Sequence, residues 1–338
     1  MNDIQYQFVK NILTAAPFNP RETGSAFAPS NIALCKYWGK RDATLNLPVN
    51  SSLSISLGQR GTQTDLRPRT EAADRVYLNG QPADPAFAHR VTAFLDLFRP
   101  LLRNTYFEVR TKNNIPTAAG LASSASGFAA LVLALDAWAG WKLDRKSLSM
   151  LARLGSGSAA RSVYDGFVQW NAGEQSNGMD SFAEPLSQPW DTLRIGILEL
   201  SAATKPVGSR EGMERTRQTA SLYSSWPVQA AADLVTLRTA IAEQDFPLLG
   251  QTAEHNALSM HATMLAAWPP LLYFQPETIA QIHRVHQLRA DGLPLYLTID
   301  AGPNLKLLFC ADQTDAVQAA FPALQIIRPF KYKNQTAL

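Results

Sequence analysis

Residues 116–127 read P-T-A-A-G-L-A-S-S-A-S-G, a run of small residues set between a predicted strand and a long apolar helix. A turn of that composition at a helix N-terminus exposes backbone N–H groups where the helix dipole is positive, and Gly120 lets the backbone approach a ligand closely. Two readings fit the spacing equally well: a phosphate-binding loop, or a tight turn with Ser123 or Ser124 as helix cap. The stretch matches neither the GxxxxGK[ST] nor the GxGxxG pattern.

Outward from this loop the hydrophobic period switches between two and 3.6. Leu53 to Leu57 alternates Leu-Ser-Ile-Ser-Leu as a half-buried strand does, and Arg75 to Leu78 before Asn79-Gly80 reads as a strand entering a turn. Apolar residues recur at helical spacing from Pro85 to Leu102, Tyr106 to Arg110 reads as a strand, and helices are expected through Leu135 and over Arg145 to Leu154. Asp180 to Pro189 (DSFAEPLSQP) loses periodicity and gains prolines, so it is expected to cross between two lobes, 1–189 and 190–338. The second lobe reads as a strand at 193–200, helices over 211–225, 228–243, 247–267 and 277–290, and strands at 295–299 and 305–309, with a final helix and strand. The expected fold class is α+β in two lobes.

Composition limits the function classes. The chain has 338 residues, enough for two lobes around a cleft, and its 31 basic and 28 acidic side chains leave a charge of only +3, which argues against a nucleic-acid binder. Cys35 and Cys310 lie far apart with no CxxC partner, which suits a reducing cytoplasm better than a disulfide framework or a zinc site. The N-terminal MNDIQYQFVKNIL does not read as a signal peptide, and the apolar run 128–135 is too short to span a membrane.

Several other clusters carry donor chemistry. Gly155 to Ser162 (GSGSAARS) brings Ser156, Ser158 and Arg161 together, a set suited to a carboxylate or phosphate. Taken alone, that spacing reads as a capped helix start with a solvated arginine. Ser209-Arg210, after Lys205, has the same donors in an expected surface loop. Asn31 to Asp42 (NIALCKYWGKRD) concentrates Lys36, Tyr37, Lys40 and Arg41; a solvated basic strand is the default, although interleaved aromatic residues suit the edge of a pocket. Asp300, at a strand end before Ala-Gly-Pro-Asn, is read first as a turn former. His283 and His286 lack a third ligand and read as solvated, while His255 and His261 read as packing or capping residues.

Together these segments resemble the GHMP kinase superfamily and, within it, the mevalonate diphosphate decarboxylase family. The resemblance rests on APSNIALCKYWGKRD with LNLPVNSSLSISL at 28–57, NNIPTAAGLASSASGFAAL at 113–131 and GSGSAARSVYDGFVQW at 155–170. It continues through SREGM at 209–213, HATMLAAWPPLLYF at 261–274 and DAGPN at 300–304. It implies an N-terminal α/β lobe with a phosphate loop and a ferredoxin-like C-terminal lobe. The active site would lie between them, using ATP and Mg²⁺ to convert mevalonate 5-diphosphate to isopentenyl diphosphate. On that resemblance Asp300 aligns with the catalytic carboxylate, Lys36 with its paired lysine, and Arg161 with the grip on the substrate carboxylate. Tyr37, Lys40, Ser158, Ser209 and Arg210 would hold the 5-diphosphate, with Asn31 and Ser156 in support. Pro116, Ala119, Gly120, Leu121, Ala122, Ser123 and Ser124 would hold the nucleotide, Ser124 also reaching the metal. The resemblance implies a homodimer too, while the cytoplasmic location and the lack of nucleic-acid or membrane partners are expected from cysteine usage, charge and the short apolar run. The competing readings are a decarboxylase of mevalonate 5-phosphate, a mevalonate-type kinase that releases no CO₂, and a non-catalytic protein on the same fold.

Overall fold

The computed structural model describes residues 3–115, 123–186, 188–201, 203 and 205–330. In chain order the first lobe contains α1 (Asp3–Leu13), β1 (Gly24–Cys35), β2 (Lys40–Asp42), β3 (Leu47–Pro48), β4 (Ser52–Arg69), β5 (Arg75–Leu78), β6 (Gln81–Pro82), α2 (Pro85–Asp96), β7 (Tyr106–Asn113), α3 (Ser123–Ala139), α4 (Arg145–Gly155), β8 (Phe167–Trp170) and β9 (Ala183–Leu186). The second contains β10 (Leu193–Leu198), α5 (Ser209–Thr219), α6 (Trp226–Glu243), α7 (Phe246–Leu265), α8 (Pro276–Ala290), β11 (Tyr296–Ile299), β12 (Leu305–Cys310), α9 (Thr314–Ala320) and β13 (Gln325–Ile327).

Strand β4 is the spine of the first lobe. Its 18 residues pair with β1 along one edge, while the other edge is shared by β7, opposite 62–69, and β8, opposite 52–55. The sheet runs β6-β5-β7-β4-β8-β9 with β1 on the free side of β4. The 52–57 segment is buried on both faces rather than one, because α3 covers one part of β4 and α6 another. Its serines sit in the interior with its leucines, so the alternation read from the sequence marks two neighbours of different chemistry and not a core face and a wet face.

Expected and observed elements differ in instructive places. The stretch 180–189 is not all linker: Ala183–Leu186 forms β9, paired antiparallel with β8 at the sheet edge, where Pro185 needs no N–H to donate. Ser209 and Arg210 open α5 rather than lying in a loop. Helix α1 and the β2–β3 hairpin were not anticipated.

The second lobe is a four-stranded antiparallel sheet, β11-β12-β10-β13. Helix α7 packs on β11 and also on β1, so one apolar cluster joins Ile32, Leu34 and Leu53 of the first lobe to Leu237, Met260, Leu297 and Leu307 of the second. That shared core fixes the end of β1 against the β11–β12 connection. Cys35 and Cys310 are free thiols, and no helix among the described residues is long and apolar enough to cross a membrane.

Candidate active site

The carboxylate of Asp300 follows directly on β11 and lies between two lysines that come from different lobes. Lys36 Nζ, just past the end of β1, donates to Oδ1 at 2.8 Å, and Lys306 Nζ, in β12, lies 3.1 Å from Oδ2. Both lysine side chains are 2% exposed whereas Asp300 is 31% exposed, so the pair of ammoniums is sealed behind a partly exposed carboxylate where the two lobes meet. Burial alone would raise the Asp300 pKa, but the Lys306 and Lys36 charges outweigh it and hold the group ionised, well below the usual carboxylate range. Burial pushes the Lys36 pKa down against the pull of Asp300.

The backbone of this turn is held on several sides. The His261 ring, stacked on Phe274 at 4.3 Å between centroids, places Nε2 3.1 Å from the Asp300 carbonyl. Burial lowers the His261 pKa to about 4, so the ring is neutral at pH 7 and donates that hydrogen bond. Asn304 Oδ1 accepts from the N–H groups of Leu200 and Ser201, tying the turn to the end of β10. Lys205 Nζ bridges Ala301 O at 3.1 Å and Ser209 Oγ at 2.8 Å, which links the start of α5 to the same loop. On the Lys36 side, Asn256 accepts the Lys36 N–H at 2.7 Å and itself donates to the buried Asp233 at 2.8 Å.

Arg161 is buried at 3% exposure in the short helical turn 157–163, not solvated. Nη1 donates to Ser52 Oγ at 2.6 Å, and Nε and Nη2 reach Asn31 Oδ1 at 3.4 and 3.3 Å. Among the described residues no carboxylate forms an ion pair with it. Burial lowers its pKa to about 10, with Asp300 pulling the other way, so the guanidinium stays charged at pH 7. A buried cation without a counter-ion is costly, and a bound anion would relieve that cost. Asn31 is fixed in turn by Nδ2 donating to Ser162 Oγ at 2.7 Å. Ser156 Oγ lies 3.4 Å from both Ser124 Oγ and Ser158 Oγ, which gathers three hydroxyls where α3 begins. Gly157 has to be glycine, because a Cβ there would meet the Tyr37 hydroxyl at 2.8 Å and the Trp170 ring at 2.9 Å.

A second group of cations lines a cavity of about 400 Å³ between the lobes. Lys40 and Arg210 face it, with Asn46, Gln5 and Glu214. Lys40 Nζ donates to Asn46 Oδ1 at 2.6 Å and has no ion pair among the described residues. Burial, with the nearby Arg210 charge adding to it, lowers the Lys40 pKa to about 8. Glu214 is drawn aside by Arg217 at 2.8 Å. The Tyr37 hydroxyl is buried with no hydrogen-bond partner among the described residues, and burial raises its pKa, so it stays protonated.

The structure thus brings Lys36, Asp300, Asn31, Arg161, Ser156, Ser158 and Ser124 to one region, and Lys40 with Arg210 to one cavity. Pro116, Ala119, Gly120, Leu121 and Ala122 lie outside the described residues. Lys306 and Asn256 were missed, Lys205 was read only as a neighbour of the Ser209-Arg210 donors, and His261, read as packing or capping, does both, stacked on Phe274 and bonded to the Asp300 carbonyl. Of the two missed, only Lys306 left a trace in the sequence, as a single charge inside the apolar strand L-K-L-L-F. His286 is not simply solvated: it lies 3.0 Å from the buried Glu254, which also receives Arg289.

This two-lobed α+β architecture, with a lysine-paired aspartate in the cleft, is the GHMP kinase fold. The family model described as the diphosphomevalonate decarboxylase-like N-terminal domain matches residues 28–183, and the mevalonate 5-diphosphate decarboxylase C-terminal domain matches 195–335. The chain belongs to the diphosphomevalonate decarboxylase family. It is 39% identical over 319 residues to diphosphomevalonate decarboxylase of Aspergillus fumigatus, covering 88% of this chain and 79% of the relative. The solved mevalonate diphosphate decarboxylase of Staphylococcus aureus superposes with a TM-score of 0.87 at 36% identity, covering 91% of this chain and 95% of that one. A structure described as MDDEF in complex with MVAPP, AMPPCP and magnesium gives a TM-score of 0.85 at 39% identity over 91% of this chain and 97% of its own.

Proposed function

We propose that the chain catalyses the ATP-dependent decarboxylation of mevalonate 5-diphosphate to isopentenyl diphosphate, releasing ADP, phosphate and CO₂, as a step of isoprenoid synthesis. The observation that carries the reading is Asp300, ionised between two buried lysines and partly exposed, within the electrostatic reach of a buried Arg161 that has no ion pair among the described residues.

The residues present suit a nucleotide with Mg²⁺. The first turn of α3 carries no acidic residue, and Ser124, Ser156 and Ser158 cluster there. No group of three or more His, Cys, Asp or Glu among the described residues could hold a metal. Mg²⁺ needs only one or two protein ligands beside phosphate oxygens, and Ser124 would be one. Residues 116–122 with Ser123 would hold the phosphates through their backbone. When bound, MgATP supplies the phosphoryl group and neutralises part of its charge.

The rest follows from the chain's own side chains. Asp300 accepts a hydrogen bond from the 3-hydroxyl and aims its oxygen. With two ammoniums on it Asp300 is a weak base, so the hydroxyl proton moves to it late, as the phosphoryl bond forms, which a loose transition state tolerates. Arg161, held by Ser52 and Asn31, grips the substrate carboxylate in its two-pronged geometry. As the 3-phosphate departs, electron demand grows at the tertiary carbon. The proton held on Asp300 leaves with the departing phosphate, the carboxylate so restored stabilises the developing positive charge, and the C–C bond to the substrate carboxylate supplies the electron pair of the new double bond as CO₂ forms. Lys40, Arg210, Ser209, Ser158 and Tyr37 hold the 5-diphosphate. Division of the chain at 189/190, a homodimeric state and a cytoplasmic location belong to the same proposal.

Purified protein with ATP and Mg²⁺, offered mevalonate, its 5-phosphate and its 5-diphosphate, tests it. CO₂ and ADP released together, with the 5-diphosphate strongly preferred, is the expected result. CO₂ from the 5-phosphate at equal efficiency would move the assignment to a monophosphate decarboxylase, and ADP without CO₂ to a kinase.

A further inference from the structure

Helix α1 precedes the segment that the family model covers, 28–183, yet it is built into the wall of the cation-lined cavity. Phe8, Val9 and Leu13 bury one face of the helix, and the Phe8 ring lies 5.0 Å from the Arg153 guanidinium carbon. Gln5, three and four residues before Phe8 and Val9, is therefore on the same face. Its Nε2 donates to the carbonyl of Thr44 at 2.7 Å, in the turn between β2 and β3. That turn also carries Asn46, which receives Lys40 Nζ at 2.6 Å and donates to the carbonyls of Arg153 and Leu154 at 2.9 Å each. Gln5 faces the cavity of about 400 Å³ together with Lys40, Asn46 and Arg210.

We propose that Gln5 is a specificity-determining residue for the far end of the substrate. One amide N–H is spent on Thr44, and the second is available to the terminal phosphate of the 5-diphosphate. The Thr44 bond also fixes the turn whose Asn46 aims the Lys40 ammonium. The inference rests on reading this cavity as the diphosphate end of the substrate site.

Charge explains the residue type. The cavity already contains one carboxylate, Glu214, which Arg217 draws aside at 2.8 Å and to which Gln218 donates at 2.5 Å. A second carboxylate at position 5 would oppose an anionic ligand, whereas a neutral amide can donate to it.

Calorimetric binding of mevalonate 5-diphosphate to the full chain, without nucleotide, tests this with Gln5→Ala, Gln5→Glu and, on the exposed side of α1, Gln7→Ala. Loss of one charge-assisted hydrogen bond at a half-buried position should weaken binding about threefold to tenfold in Gln5→Ala. Gln5→Glu should weaken it further, and Gln7→Ala should match wild type. In turnover the same variants should raise KM for the 5-diphosphate with little change in kcat or in KM for ATP, and narrow the preference over the 5-phosphate. Wild-type affinity in a folded Gln5→Glu, or an equal rise in KM for ATP, would overturn the inference alone. Absence of binding to wild-type protein would overturn it together with the functional reading.

Discussion

Replacing Asp300 by Asn keeps the shape of the turn and removes the one negative charge between Lys36 Nζ at 2.8 Å and Lys306 Nζ at 3.1 Å. With an effective dielectric of about 20, those two contacts are worth roughly 6 and 5 kcal/mol of gross attraction. Most of that is offset by desolvation and by the mutual repulsion of the two ammoniums, and breaking a buried pair costs on the order of 3–5 kcal/mol. The lower end applies here, because Lys36 is already pushed toward its neutral form by burial and can shed its proton instead of staying charged and unpaired. For a chain of 338 residues the unfolding entropy is about 0.7 kcal/mol/K, so a loss of about 3 kcal/mol lowers Tm by about 4 °C. The sign of the pH dependence follows. A lysine whose folded pKa lies below its unfolded value destabilises while both states are protonated-competent, and the penalty shrinks as pH rises through the folded pKa. The Tm deficit of Asp300→Asn should therefore be largest near pH 7 and smaller at pH 9.5, read by differential scanning calorimetry against wild type. Turnover should fall by on the order of 10³-fold or more, with nucleotide binding retained. A variant with wild-type Tm at both pH values and near-normal turnover would refute the two-lysine account of this carboxylate.

Three further outcomes are expected besides the Gln5 series. Lys306→Met should leave the Lys36–Asp300 pair in place and lower kcat roughly ten- to a hundredfold with KM for ATP unchanged; an unchanged kcat would mean that Lys306 only fills space. Arg161→Met should cost about 10²-fold or more in kcat/KM for the 5-diphosphate, and free Asn31 and Ser52 should not rescue it; wild-type kcat/KM would place the substrate carboxylate elsewhere. Because the Lys40 pKa is lowered to about 8, its charge is present below that pH and lost above it, so KM for the 5-diphosphate should rise between pH 7 and pH 9. Lys40→Arg should move that rise to higher pH, and a flat profile in wild type would show that Lys40 does not bear on binding.

The elements with one strong period were legible, and the site's charges were legible only as residue types. Arg75–Leu78 and the helix from Arg145 appear where the periodicity put them, because a local pattern decides a local element. Burial of Lys36 was not readable from N-I-A-L-C-K-Y-W: what permits a lysine there is a carboxylate 264 residues later and a core shared by two lobes. The burial of Arg161, though not its candidacy as an anion grip, escaped for the same reason, since Ser52 and Asn31 meet it only once β1 and β4 pair. The prolines of 180–189 suggested a linker, yet an edge strand tolerates Pro185. The resemblance in DAGPN pointed to Asp300, whereas Lys306, a lone charge in an apolar strand, gained its place beside that carboxylate only through the register that sets it opposite Thr298, next to the end of β11.

Decarboxylation coupled to phosphoryl transfer is read in a single turnover: enzyme in excess over mevalonate 5-diphosphate labelled at the carboxyl carbon, with MgATP, quenched over time. Labelled CO₂ and ADP are expected in equal amounts, with all the label lost from the organic product. ADP formed while the label stays in a stable phosphoester would contradict that coupling.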